Sequence, residues 1–275
     1  MISKTVSIMG WYGNDNAGDE AVLSGILSHV RNYPQVDTIN VFSDNPQQTS
    51  QLHNVNGLWT LTPNLVKSLL SKNLWNYRKV YRPAVKALKE TDLCIVGGGG
   101  IIADHNPALI DTWCNRLKIA LKHAKKVCLY GIGVEPLEHE SSRAKIAKIF
   151  NKLEFITVRD QQSADELKRS GVTNVIVAAD PAFSLKASTI EPPIEELFKD
   201  KVVICPVHRF KGADRESYGM MHRAFCEKLN EKYPNKKVVL GLLFPADEFL
   251  AQYINDIPNY DSSFDLFRHH PNEII

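Results

Sequence analysis

The sequence predicts an α/β fold organised on a doubly wound parallel sheet. Short apolar runs typical of buried strands alternate with segments of helical periodicity over most of residues 5–180. The most pronounced run, 93–96, stops abruptly at Gly97, Gly98, Gly99 and Gly100. Ligands of open α/β sheets collect outside the carboxyl ends of the strands, and glycine lets backbone N–H groups approach an anion that a Cβ would hold off. These glycines are therefore a candidate ligand loop, the alternative being a tight turn that binds nothing.

In chain order, 5–9 reads as the first strand, and it opens on a glycine-rich loop, 10–20. Ala21, Leu23, Ile26, Leu27 and Val30 then recur at helical spacing. A second strand covers 37–43, whereas 45–61 has turn residues and little periodicity, so no element is expected there. Residues 65–88 are helical, with breaks near Lys72-Asn73 and at Pro83. After the glycine run come a helix over 109–124 and a strand over 126–130 that ends in Gly131-Ile132-Gly133. A helix over 141–152 leads to a strand over 155–158 that delivers Arg159-Asp160. A helix over 163–169 is closed by Gly171, and a strand over 175–177 delivers Ala179-Asp180-Pro181-Ala182-Phe183.

Pro192, Pro193 and a run of acids mark 187–200 as a linker between a first domain, 1–186, and a second, 201–275. The second domain has strands over 202–205 and 237–243, helices over 215–233 and 247–254, and a helix start at Pro271-Asn272-Glu273. It is short for a domain of this kind. An incomplete sheet with an open edge is expected, and such an edge invites self-association.

At 275 residues and 44% hydrophobic content, the chain can bury one large core or two modest ones. A net charge of +2 gives no general pull towards nucleic acid. No window approaches the roughly 18 apolar residues of a membrane span, and the first ten residues lack the pattern of a signal peptide. The expected location is cytoplasmic. Five cysteines at wide spacings, with no CxxC pair, are expected to be reduced.

Between Asp44 and Glu90 there is no acidic residue, while Lys67, Lys72, Arg78, Lys79, Arg82, Lys86 and Lys89 accumulate beside Trp75, Tyr77 and Tyr81. This stretch is either a solvated basic face or a docking face for an anionic inner-leaflet surface or a lipid-diphosphate-linked substrate. Nucleic acid is a poorer reading, since no recognition module accompanies the patch.

In the first loop, Gly13 and Gly18 mimic the spacing of a phosphate-binding loop, but Asp19 and Glu20 stand where lysine and serine or threonine belong. Two carboxylates there repel a nucleoside triphosphate. They suit the first turn of a helix, where they complement the macrodipole; alternatively Asp19 orients a substrate hydroxyl. Asn14 and Asn16 tolerate left-handed backbone, which suits a tight loop. Gly98, Gly100 and Ala103 match a dinucleotide spacing, yet the acid expected to end the next strand is missing. No metal-ligand spacing occurs, and no cofactor is expected.

Together, GWYGNDNAGDEAVL (Gly10 to Leu23), GGGGIIAD (Gly97 to Asp104), GIG (Gly131 to Gly133), VRDQQSADELKRSGV (Val158 to Val172), ADPAF (Ala179 to Phe183) and VVICPVHRF (Val202 to Phe210) resemble the polysaccharide pyruvyl transferase family. Each motif is modest alone; their order and separations make the resemblance specific. It implies a GT-B-like arrangement of two Rossmann-like domains, the first on the acceptor side and the second on the donor side. The implied activity is transfer of the enolpyruvyl carbons of phosphoenolpyruvate to a sugar, usually as a ketal on a cell-wall or exopolysaccharide unit or its lipid-linked precursor.

The chemistry implied needs cations and backbone N–H groups for the donor, an acid for its methylene carbon and a base for the sugar hydroxyl. On the matching motif positions, Arg209 is the leading anion ligand, with His208 beside it. Arg159 could clamp an anion, or form a structural salt bridge to Asp160 or Asp180. Asp104 could deprotonate an acceptor hydroxyl, or cap a helix. With Asp19, these make up the candidate catalytic set of Asp19, Asp104 and His208, supported by Arg159, Arg209, Asp180, Asn14, Asn16, Gly98, Gly99 and Gly100 as substrate contacts. The family's Arg-Leu-His motif does not occur; Arg268, His269 and His270 offer similar atoms without fitting it. Truncation, or loss of donor binding and with it of activity, is therefore an expectation. A nucleotide-sugar glycosyltransferase and a non-catalytic saccharide- or anion-binding remnant are the alternatives.

Overall fold

The structure is a computed structural model that describes residues 3–61, 77–186, 198–206, 214–242 and 245–265. The chain divides into two compact units: Met1–Asn14 with Asp19–Leu185, and Asp15–Gly18 with Lys186–Ile275.

Unit 1 is built on seven parallel strands: β1 (Lys4–Met9), β2 (Val36–Ser43), β3 (Asn56–Trp59), β4 (Leu93–Gly97), β5 (Lys126–Ile132), β6 (Ile156–Val158) and β7 (Val175–Val177). They lie in the order β3-β2-β1-β4-β5-β6-β7. From β1 the chain builds outward to β2 and β3, then returns to place β4 on the other side of β1. The order thus reverses between β1 and β4, and an open sheet forms a crevice outside the carboxyl ends of such a pair.

Helices cover both faces. On one, α1 (Ala17–Val30) seats Leu23, Ile26 and Leu27 against Val6, Ile8 and Val41. All three are fully buried, and each such side chain contributes about 1.5–3 kcal/mol of transfer free energy. On the other lie α3 (Arg82–Glu90), α4 (Pro107–His123), α5 (Glu140–Phe150) and α6 (Gln161–Arg169), whose Leu88, Trp113, Phe150 and Leu167 fill the larger core. The doubly wound sheet expected from the alternating pattern is present.

Three local expectations need correction. Residues 45–61, expected to be irregular, hold α2 (Pro46–His53) and β3. The helix has Asn45 as N-cap, accepting from Gln48 N at 3.3 Å, and buries only Thr49 and His53, so it leaves little apolar periodicity in the sequence. Pro83 does not break a helix. A π-helical turn, Tyr77–Tyr81, runs directly into α3, and the proline lies where the run changes from one helix type to the other. The helix expected over 247–254 is a tighter 3₁₀ turn, Pro245–Leu250, that continues as the short α8 (Ala251–Ile254).

Unit 2 has β8 (Lys201–Ile204), β9 (Lys237–Leu242) and β10 (Tyr260–Asp265), parallel in the order β10-β9-β8. With α7 (Arg215–Lys232) and α8 they enclose Cys226, Val238, Leu240, Leu242, Leu250 and Ile254. β10, a polar edge strand, has no apolar run to announce it. Residues 187–197 of the expected linker, and 266–275 with Arg268, His269 and His270, lie outside the described residues. Among the described residues no helix is long and apolar enough to cross a membrane.

Candidate functional site

Both glycine loops lie at the reversal point. Met9 pairs with Val96, so Gly10 and Trp11 leave the sheet alongside Gly97 and Gly98. Tyr12, 1% exposed, folds back to donate its hydroxyl to Gly97 O at 2.8 Å. Burial first, and then the charges of Asp19, Glu20 and Asp180, push its phenol well above the usual range, so it remains a neutral donor. Three carboxylates therefore converge on the carboxyl edge of β1 and β4.

The two acids that open α1 have different jobs. Glu20 is buried; its Oε1 accepts from Gly13 N at 2.8 Å and its Oε2 pairs with His53 Nε2 at 2.6 Å. It fastens the loop to α2. Asp19 is half-buried and lies over the glycine run, with Oδ1 at 3.0 Å from where a Cβ on Gly99 would stand. Gly98 must be glycine: its φ is +77°, and a Cβ there would meet Val22 Cγ1 at 1.7 Å. The run does not open directly onto a helix, because α4 starts only at Pro107 and a bridge between Ile102 and Val134 intervenes. That geometry departs from a dinucleotide loop.

Asn14 and Asn16 brace the loop through their side chains. Asn14 Nδ2 donates to Asp44 Oδ2 at 3.0 Å, and Asn16 Oδ1 accepts from Gly18 N at 3.0 Å. The left-handed positions fall instead on Gly13 and Asp15.

Arg159 leaves the end of β6 with its N–H bonded to Ile132 O at 3.0 Å. Its guanidinium lies flat against Gly133, where a Cβ would fall 2.8 Å from Nε. Asp160 and Asp180 each approach it at 3.5 Å, so both salt bridges weighed against anion binding are present. Asp160 also caps α6 by accepting from Ser163 N at 2.7 Å, and Asp180 accepts from Ala182 N at 3.0 Å. With Asp19 nearby, carboxylates outnumber the Arg159 guanidinium. Such an edge binds hydroxyl donors better than it binds a doubly anionic phosphate ester.

Asp104 lies at the approach to α5. It is 1% exposed, and its two oxygens accept from Glu138 N at 3.0 Å and His139 N at 2.8 Å, ahead of α5. The N-cap of α4 is Asn106. Burial alone would raise the Asp104 carboxyl, but these N–H groups and the Ser142 hydroxyl outweigh it and hold it below its usual value of 3.8. Its stabilisation is complete above that value and is lost as pH falls through the depressed one. Asp104→Asn is expected to lower stability by about 1–3 kcal/mol, measured by denaturant unfolding at neutral pH. The loss should shrink as pH falls through the depressed value.

His208 and Arg209 lie outside the described residues. Among the described residues no group of three or more histidine, cysteine, aspartate or glutamate side chains is placed to hold a metal ion. A cavity of about 690 Å³ sits at the opposite edge of the sheet, lined by Val6, Ile95, Cys128 and Phe155, remote from both glycine loops. Sequence reasoning missed Tyr12 and the pairing of Trp11 with Trp113; two aromatics directly after Gly10 were the available signal.

The sequence model of the polysaccharide pyruvyl transferase family matches residues 16–273. Among solved structures, the UDP-GlcNAc 2-epimerase of Neisseria meningitidis bound to UDP-GlcNAc is similar at a TM-score of 0.60 and 13% identity, covering 99% of this chain and 75% of that one. A UDP-GlcNAc 2-epimerase from Methanocaldococcus jannaschii gives a TM-score of 0.54 at 13% identity, covering 96% and 75% respectively. At such identities the likeness shows the fold alone, which is GT-B-like α/β with Rossmann-like units. Comparison with curated proteins finds none that matches.

Proposed function

The chain belongs to the polysaccharide pyruvyl transferase family, and from that premise we propose that it transfers the pyruvyl group of phosphoenolpyruvate to a sugar of a cell-surface polysaccharide or its lipid-linked precursor. Unit 1 is the acceptor side. The observation that carries this is the carboxyl edge itself, where Asp19 and Asp180 flank bare glycine backbone and the Arg159 guanidinium is already matched by carboxylates.

The reaction joins two sugar hydroxyls to the central carbon of phosphoenolpyruvate, and the bond from that carbon to the phosphate oxygen breaks. One hydroxyl proton ends on the methylene carbon, which becomes a methyl group; the other leaves with phosphate. Asp19 takes the first hydroxyl proton as general base. His208 supplies the proton to the methylene carbon, and Arg209 balances the charge of donor and departing phosphate. Arg159 holds Asp180 in position at the acceptor edge.

The test is phosphate release from phosphoenolpyruvate with lipid-linked or free N-acetylhexosamine oligosaccharides. Release that requires the saccharide is expected. Release of nucleotide from UDP-sugars, with phosphoenolpyruvate inert, would assign a glycosyltransferase instead.

A lipid-linked acceptor would bring the protein to a membrane surface, and α3 suits that contact. Arg78, Lys79, Arg82, Lys86 and Lys89 are all exposed on the turn that leads into α3 and on α3 itself, with Glu90 as the one acid beside them. Tyr81 packs inward against the core, and Lys67, Lys72 and Trp75 lie outside the described residues. Because α3 runs back towards the start of β4, its Arg82 end faces the carboxyl edge. Each such cation near an anionic surface contributes about 1 kcal/mol. Reversal of Arg78, Lys79 and Arg82 to glutamate is expected to weaken binding to phosphatidylglycerol vesicles at least about tenfold. Unchanged sedimentation with vesicles would reject the contact.

A further inference from the structure

Trp11 stands at the carboxyl end of β1 with 39% of its surface exposed, at an edge where most large side chains are buried. Its ring is held from behind. Trp113 of α4, 1% exposed, packs against it with ring centroids 6.4 Å apart and planes tilted by 48°. The Arg116 guanidinium lies 5.9 Å from the Trp11 ring and 4.7 Å from the Trp113 ring. Arg116 is itself 7% exposed, and its Nε donates to Leu61 O at 3.0 Å.

The backbone under Trp11 is equally fixed. Tyr12 O accepts from Asp44 N at 3.0 Å, and Asn14 ties the same loop to the Asp44 carboxylate. An exposed indole normally moves among rotamers, and ordering it on binding costs free energy. Here that cost is met on folding, by a buried cation and a second indole.

The geometry points to Trp11 as a stacking platform for a pyranose ring of the acceptor saccharide. The face of an indole is its negative pole, and a glucose- or galactose-configured ring presents on one side a patch of C–H bonds with weak positive charge. Stacking leaves the hydroxyls at the ring edge. The assignment rests on unit 1 being the acceptor side, and it adds the residue that selects for a sugar ring.

The test is saturation-transfer NMR with chitobiose, lactose and maltose on wild type, Trp11→Ala and Trp11→Phe, with phosphoenolpyruvate titrated separately. At least one disaccharide is expected to receive saturation at its ring C–H protons in wild type. Its affinity is expected to fall about tenfold in Trp11→Ala, the equivalent of about 1.4 kcal/mol. Trp11→Phe retains a ring and is expected to stay within about threefold of wild type. Equal affinity in Trp11→Ala, or no transfer to any of the three sugars in wild type, would overturn the platform. Trp11-dependent sugar binding without any response to phosphoenolpyruvate would leave the platform standing and reject pyruvyl transfer.

Discussion

Asp19→Asn is expected to lower saccharide-dependent phosphate release by at least about 100-fold, the usual range for loss of a positioned base. The substitution keeps size and hydrogen-bonding capacity but removes the ability to take a proton from a sugar hydroxyl. Asp19 sits in the first turn of α1, over the backbone of Gly99, while its neighbour Glu20 is committed to Gly13 and His53. Two controls separate catalysis from folding. Glu20→Gln should destabilise the loop, lowering the unfolding midpoint, and the unfolding midpoint of Asp19→Asn, measured beside it, shows that the protein assayed is folded. Phosphoenolpyruvate affinity should be the same in Asp19→Asn and wild type, because unit 2 holds the donor in this account. A loss of donor affinity in Asp19→Asn would place the donor at the glycine run instead.

Gly98→Ala is expected to be the most destabilising single change at the edge. Two costs combine: left-handed backbone at φ +77°, about 1–2 kcal/mol for a residue with a Cβ, and a Cβ placed 1.7 Å from Val22 Cγ1, about 1–3 kcal/mol of overpacking. Urea unfolding should show a loss of roughly 2–5 kcal/mol. A double-mutant cycle with Val22→Ala tests the cause. Removing the valine methyls relieves the overlap but not the backbone strain, so a favourable coupling of about 1 kcal/mol or more is expected. Strict additivity would show that the strain alone accounts for the loss.

Much of this architecture was legible in the chain. Of unit 1's strands, β1, β4 and β5 announced themselves as apolar runs leading into glycine, and Gly171 closed α6 as expected, with φ +84°. What escaped were elements whose stability comes from neighbours rather than from their own pattern. α2 is short and polar, held by its Asn45 cap and by the His53–Glu20 contact. Pro83 reads as a breaker in isolation, yet it marks only the change from a π-helical turn to α3.

At the site, the sequence located the loops but could not divide labour among similar residues. Asp19 and Glu20 are adjacent carboxylates, and only the fold turns one towards Gly13 and His53 and leaves the other over the glycine run. Asp104 follows the glycines directly, which suggests chemistry, yet its oxygens are consumed by two N–H groups more than thirty residues away. Trp11 drew no assignment from the sequence, because its partners, Trp113 and Arg116, come from a helix that the chain reaches only after three further strands.

The most direct measurement follows phosphoenolpyruvate labelled with carbon-13 at its methylene carbon, incubated with the protein and a lipid-linked N-acetylhexosamine oligosaccharide. The account predicts that the label appears as a methyl carbon covalently attached to the saccharide, in step with phosphate release, and that Asp19→Asn suppresses both. Label that remains in phosphoenolpyruvate, or passes only into free pyruvate, would contradict pyruvyl transfer by this chain.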